Sequence, residues 1–239
     1  MSCILNIETS TSVCSVALSM DGEVLFAKAS FDGPSHAALL GVFVEEALSV
    51  LKKKGKKALD AVAVSSGPGS YTGLRIGVSV AKGLCFGFGI PLIGIHTLDI
   101  MAATVNSKGD SQIVSITDDC LYCAMLDARR MEVYAAIYDA SLKPVRETKA
   151  DIVEVGTYAS YLEKGKVCFF GNGASKCKSV ITSPNAIFIE DIHPLAVNMI
   201  PLSEQAFAAG KFEDTAYFEP FYLKEFQATF AKNKVLLAR

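Results

Sequence analysis

Residues 64–88 constrain the fold most. Ala61-Val62-Ala63-Val64 is an apolar, β-branched run that reads as a buried strand. It ends in Gly67-Pro68-Gly69, a forced turn. Ser70 then stands at an N-cap position, where its hydroxyl can accept an orphan N–H of the first helical turn. A helix follows to about Phe88, where Gly89 and Pro91 stop it.

That helix lacks a polar face. At ~100° per residue, Thr72, Arg75, Ser79, Lys82, Gly83 and Phe86 share one arc, and only Arg75 and Lys82 on it are charged. The other side carries Leu74, Ile76, Val80, Ala81, Leu84 and Cys85. A helix apolar nearly all round is buried on both sides. One side suits the chain's own sheet; the other suits a protein partner, or else the helix sits centrally in one larger core. Ser79, Gly83 and Gly87, four apart, form a smooth strip on which another helix can approach closely. The glycine turn also resembles an anion site at a helix start. It is not a Walker A loop, because no Gly-Lys-Ser/Thr follows Gly69. Plain turn chemistry is the competing reading.

The chain has 239 residues, enough for one large domain or two small ones. With 51% hydrophobic and 20% charged residues it supports an ample core and argues against disorder. Its formal net charge of −2 lacks the basic surplus of a chain that binds nucleic acid unaided. The one basic run, Lys52-Lys53-Lys54-Gly55-Lys56-Lys57, reads as the solvated end of a helix, with a nucleic-acid contact as the alternative. Seven cysteines scattered through apolar segments suit a reduced, cytoplasmic protein. Cys120 and Cys123 form a lone C-x-x-C with no second pair or nearby histidine to complete a zinc site. No signal peptide is expected, and the longest uncharged apolar stretch, Gly83 to Leu98, is too short and glycine-rich to span a bilayer.

From the N-terminus, strands are expected at Cys3–Thr9, Val13–Met20 and Val24–Ser30, with Asp21-Gly22 as a hairpin turn. Glu8-Thr9-Ser10-Thr11-Ser12 places a carboxylate and four hydroxyls at a strand end, facing a phosphate or hydrated metal ion, or forming an ordinary turn. A helix opens at Pro34 or Ser35 and runs to about Lys54. Ala38 and Val42 lie on the same arc as its polar Glu45, Glu46, Ser49, Lys52 and Lys53, so its N-terminal half is apolar where solvent should be. His36 reads as a cap or surface residue. A strand at Pro91–Ile95 and a helix at Thr97–Val105 follow, and a boundary is expected at Asn106–Asp110. The second half reads as strands at Gln112–Thr117, Tyr122–Asp127 and Met131–Tyr138, with Val145–Lys149 beside them. Next come a helix at Val155–Glu163, a strand at Lys166–Phe170, a turn at Gly171–Ala174, a helix at Ser175–Val180, a strand at Ala186–Ile189 and a helix at Pro194–Gly210. An aromatic tail, Tyr217 to Lys224, is expected to lie on the body. Each half starts in hairpins and continues in alternating helices and strands, which suggests a duplicated α/β fold with a cleft between the halves.

Several of these segments resemble the TsaB (YeaZ) family. They are Ile7-Glu8-Thr9-Ser10 with Cys14-Ser15-Val16-Ala17-Leu18, and Gly67-Pro68-Gly69-Ser70-Tyr71-Thr72-Gly73-Leu74-Arg75-Ile76-Gly77. Asp127-Ala128-Arg129 with Glu132-Val133-Tyr134, and Pro220-Phe221-Tyr222-Leu223-Lys224, complete the set. The resemblance spans nearly the whole chain. It implies an actin-like, Hsp70-like (ribonuclease H-like) duplicated fold in two subdomains, 1–108 and 109–210, with 211–239 as a tail on the body. It implies a role in forming N6-threonylcarbamoyladenosine at position 37 of tRNAs that read codons beginning with adenine. In that role the chain is a non-catalytic partner of the catalytic subunit TsaD, joined by the ATPase TsaE, and meets tRNA only through the complex. TsaD carries a His-x-x-x-His metal pair. This chain, with histidines only at 36, 96 and 193, cannot supply one, and no catalytic or metal residue is expected in it. The resemblance also places the first two helices in the contact with TsaD. Ala38, Val42, Thr72, Arg75, Ser79, Lys82, Gly83 and Phe86 are then the expected partner-binding residues, with a homodimer forming when the partner is absent. A nucleotide, ATP or ADP, belongs at the complex interface if anywhere.

The rival reading is an ATP-dependent small-molecule kinase of the actin-like superfamily. Glu8, Thr9 and Ser10 would form its first phosphate loop, Asp127 its second, and Gly171 to Gly173 its nucleoside-side turn. Against it, the first loop lacks the glycines that let backbone N–H groups wrap phosphates. A protease reading lacks its chemistry, since there is no His-Glu-x-x-His and Ser70 has no base nearby in sequence.

Overall fold

The computed structural model describes residues 2–33, 35–55, 58–107 and 120–223. Two five-stranded sheets carry it. In the first, β1 (Cys3–Glu8), β2 (Cys14–Met20) and β3 (Glu23–Ser30) form an antiparallel meander. Asp21 and Gly22 turn the second hairpin with φ of 50° and 81°, the left-handed pair that a two-residue turn matched to strand twist requires. The chain crosses through α1 (His36–Lys53) to β4 (Ala61–Gly67), then through α2 (Tyr71–Phe88) to β5 (Leu92–His96). Both of these strands run parallel to β1, in the order β3-β2-β1-β4-β5.

The second sheet repeats the plan. β6 (Leu121–Asp127), β7 (Glu132–Tyr138) and β8 (Pro144–Ile152) form a meander, and β9 (Val167–Phe170) and β10 (Ala186–Ile189) join β6 in parallel. The order β8-β7-β6-β9-β10 is that of the first sheet, strand for strand. This is the duplicated actin-like, ribonuclease H-like fold. The expected strand at Gln112–Thr117, the 108/109 boundary, Lys56, Lys57, Pro34 and everything from Lys224 onward lie outside the described residues.

Strand alternation assigns the layers. Cys3, Leu5 and Ile7 face one way and pack with Leu40, Phe43, Val44 and Ala47 of α1 and Val78, Ala81 and Cys85 of α2. On the other face Ile4, Ala61, Ala63, Ile93 and Ile95 meet Ile100 of α3 (Thr97–Ser107) and Met199 of α6 (Ala196–Ala208). α3 also serves the second sheet, packing Leu98, Met101, Ala102 and Val105 against Ala124, Leu126, Ala136 and Phe170. The Tyr138 hydroxyl donates to Asp99 of α3 at 2.7 Å. The far face of the second sheet is covered by Tyr158, α4 (Ala159–Leu162) and α5 (Ala174–Cys177). The molecule is thus helix, sheet, helix, sheet, helix.

Several expectations change, among them the helix expected at Ser175–Val180, which shortens to Ala174–Cys177. The last helix, assigned to the second subdomain, packs on the first sheet instead: Ala196 and Ile200 meet Ala17, and the Ala196 N–H donates to Ser15 Oγ at 2.9 Å. The helix expected over Val155–Glu163 shrinks to Ala159–Leu162. Before it Thr157 Oγ1 closes a tight turn, accepting from Glu154 N–H at 2.8 Å, and Gly156 takes φ 89°. α3 runs on to Ser107, past the expected stop at Val105. No helix among the described residues is long and apolar enough to cross a membrane.

Candidate partner-binding face

α2 begins as its sequence dictates. Ser70 Oγ accepts from Gly73 N–H at 3.2 Å, and Gly89 ends the helix in the left-handed region at φ 66°. Its buried stripe is Gly73, Leu74, Gly77, Val78, Ala81 and Cys85. Opposite, Thr72, Arg75, Ser79, Gly83 and Phe86 are all exposed, Phe86 by 88%. A Cβ added at Gly83 or Gly87 would meet nothing within 4 Å. On α1, which lies beside α2, Ala38 and Val42 are likewise exposed. The outer surface of this helix layer therefore combines a bare glycine strip with the unburied apolar side chains Val42 and Phe86.

Lys82 departs from its expected role. Its ammonium donates to the carbonyls of Ala216 at 3.0 Å and Phe218 at 3.1 Å, so it holds the chain's own tail rather than standing free for a partner. The tail continues across the start of α2. Phe221 N–H donates to Ser66 O at 2.6 Å, the Tyr222 ring lies 5.0 Å from that of Tyr71, and Arg75 donates to the Tyr71 hydroxyl at 2.8 Å.

The strand-end cluster turns inward. Glu8, Thr9 and Ser10 are at most 1% exposed, so none of them offers a side chain to a solvent-borne phosphate. Thr9 Oγ1 donates to Gly73 O at 2.8 Å, and Ser70 N–H donates to Ser10 O at 2.6 Å. A Cβ at Gly69 would stand 2.3 Å from Ser10 O, at Gly73 2.1 Å from Thr9 O, and at Gly77 2.2 Å from Thr9 Oγ1. Glycine at these three positions lets the β1–β2 turn lie directly on the start of α2. Our sequence reading missed this contact, although the four-residue spacing of Gly69, Gly73 and Gly77 signals it.

Glu8 Oε1 accepts from Ser10 N–H, while Glu8 Oε2 and Ser10 Oγ are buried without a partner. Desolvation pushes the Glu8 carboxyl up to about 7, against the opposing hydrogen bond from the Ser10 N–H. His36, expected as a cap or surface residue, is buried: its Nε2 lies 2.8 Å from Thr11 O.

Asp127, the other expected ligand, sits exposed at the end of β6. It pairs with Lys176 and accepts from Arg129 N–H at 2.8 Å. Gly171 and Gly173 are close-packed against Met101, Met125 and Leu126 rather than open to a nucleoside. A cavity of about 440 Å³ does lie between the halves, but its walls include His96, Asp99, Tyr138, Glu147, Leu202 and Phe221, not Glu8 or Asp127. Among the described residues, no three His, Cys, Asp or Glu side chains gather as a metal site.

Comparison with known proteins adds a second line. A family model described as TsaD, tRNA N6-adenosine threonylcarbamoyltransferase, matches residues 33–228. The tRNA threonylcarbamoyladenosine biosynthesis protein TsaB of Escherichia coli (strain K12) is 31% identical over 245 residues, covering 92% of this chain and 94% of that protein. A tRNA N6-adenosine threonylcarbamoyltransferase of Nitratidesulfovibrio vulgaris (strain DP4) is 38% identical over 112 residues, 41% of this chain and 31% of that one. Among solved structures, YeaZ from Pseudomonas aeruginosa superposes with a TM-score of 0.73 at 26% identity, covering 93% of this chain and 100% of that one.

Proposed function

The chain belongs to the TsaB (YeaZ) family, and on that premise we propose that it serves N6-threonylcarbamoyladenosine formation as a non-catalytic subunit that binds and activates TsaD. The observation that carries the reading is the outer face of α1 and α2, where Phe86 is 88% exposed beside the open positions at Gly83 and Gly87. Covering a phenylalanine of this kind contributes about 1.5–3 kcal/mol, enough to anchor a contact between two helix layers. The chain's own polar groups serve the fold. Glu8, Thr9 and Ser10 hold the β1–β2 turn, and Asp127 holds the β6–β7 turn and Lys176. Activation then comes from differential affinity: the subunit binds one conformation of TsaD better and shifts its population. Ala38, Val42, Thr72, Arg75, Ser79, Gly83 and Phe86 form the contact, and the same face pairs two copies when TsaD is absent. TsaE and tRNA join the assembled pair, and a nucleotide binds at its interface rather than to this chain alone.

The test is threonylcarbamoyl transfer to tRNA in a reconstituted system, with and without this chain. Dependence on the chain, together with no transfer by the chain alone, supports the proposal; full transfer in its absence refutes it. Gly83→Leu fills the open strip. The variant should keep its fold by circular dichroism yet fail to co-elute with TsaD; undiminished co-elution would place the contact elsewhere. Calorimetric titration of the isolated chain with Mg-ATP should give no binding heat, and tight binding would revive the kinase reading.

A further inference from the structure

The cysteine pair written into the sequence is not the pair that forms in space. Cys123 faces the core of the second sheet with Met125 and Phe169, and burial raises its thiol pKa. Cys120, just before β6, meets Cys168 of β9 instead, with the two sulfurs 2.8 Å apart and both residues at most 1% exposed. By strand register Cys168 lies opposite Tyr122, two residues past Cys120, so the sulfur contact runs diagonally at the entry of β6. A disulfide needs ~2.05 Å between sulfurs, so the two sulfurs would have to close by under about 1 Å, with the side chains turning to the disulfide dihedral.

We propose that Cys120 and Cys168 are a peroxide-reactive thiol pair that closes reversibly to a disulfide. The two sulfurs are not equivalent. The hydrogen bond from Cys168 and the nearby Lys166 charge lower the pKa of Cys120. The same contact, with burial, raises that of Cys168. Cys120 is therefore the thiol that gives up its proton more readily and attacks first, and Cys168 the resolving thiol. Hydrogen peroxide is small and uncharged, as a buried sulfur requires. The Cys120 thiolate attacks one peroxide oxygen, the S–O bond forms as the O–O bond breaks, and the departing hydroxide leaves as water with a proton. The Cys168 sulfur then attacks the sulfenic sulfur; the S–S bond forms, the S–O bond breaks, and a second water leaves with the Cys168 proton. Two thiols lose two electrons and one peroxide becomes two waters. The other cysteines differ: burial pushes Cys14 and Cys85 up to about 11, leaving them as unreactive thiols. The bond would fasten the entry of β6 to β9, fixing the first turn of chain in the second sheet.

The full chain, treated under native conditions with hydrogen peroxide in modest excess, tests this by thiol titration and peptide mapping with differential alkylation. Free thiols should fall from seven to five, since two of the seven cysteines join, with one linked peptide holding Cys120 and Cys168, and dithiothreitol should restore all seven. Cys168→Ser should trap a dimedone-reactive sulfenic acid at Cys120. Retention of all seven thiols, or first oxidation at any other cysteine, overturns the proposal. Thiol counting on the unmodified chain is decisive by itself even if a serine variant misfolds.

Discussion

Glu8 ends its strand with a carboxyl sealed from water, and burial pushes its pKa up from 4.5 to about 7. In the folded chain the acid holds its proton where the unfolded chain has released it. Between about pH 4.5 and 7 the folded state thus binds more protons, and stability falls as pH rises through that window. Above it both states are ionised, and the fold carries the full cost of a buried charge. Glu8→Gln removes this titration, so urea unfolding of the variant and the parent should diverge by roughly 3 kcal/mol between pH 4.5 and 8; parallel profiles would contradict the burial argument. The polar run 8–12 was legible as a cluster, but not the direction it faces. That direction depends on glycines 60 residues onward, which draw Thr9 and Ser10 against α2. His36 misled for the same reason: its partner, Thr11 O, lies 25 residues earlier on another element.

Glycines along α2 separate two jobs within one helix. Gly73→Ala drives a Cβ against the Thr9 carbonyl and should cost about 1–3 kcal/mol by overpacking. Gly83→Ala meets open space and should gain ~0.5–1 kcal/mol by restricting the unfolded chain. Urea midpoints moving in the same direction for both variants would undo the assignment of an inner and an outer face. Most elements were readable because their signals are local: the Asp21-Gly22 turn, the Ser70 cap, the Gly89 stop and the strand alternation all sit within a few residues of what they control. The failures were non-local. Lys82 counted as a charge on an open arc because nothing near it in sequence shows that residues 216 and 218 return to take its N–H donors. The 155–163 helix gave way to a turn that a single threonine and one positive-φ glycine stabilise better.

The two halves share their middle. α3 packs on both sheets, and Tyr138 of the second sheet donates to Asp99 of that helix. Tyr138→Phe should cost about 1.5–3 kcal/mol, the range for a hydrogen bond to a charged group, in one cooperative unfolding transition. Separation into two transitions would show the halves to be independent. Duplication was legible from the order of hairpins, helices and strands; the destination of the last helix was not, since amphipathic spacing names a face but not the sheet it covers. That placement bears on synthesis. Residues 3–96 contain every strand of the first sheet, yet Ile4, Ala61 and Ile93 on its inner side await Met199. A ribosome must translate the entire second half before the first can finish closing. Until then that inner side stays partly uncovered, and α6, made after both sheets, is the piece that closes it.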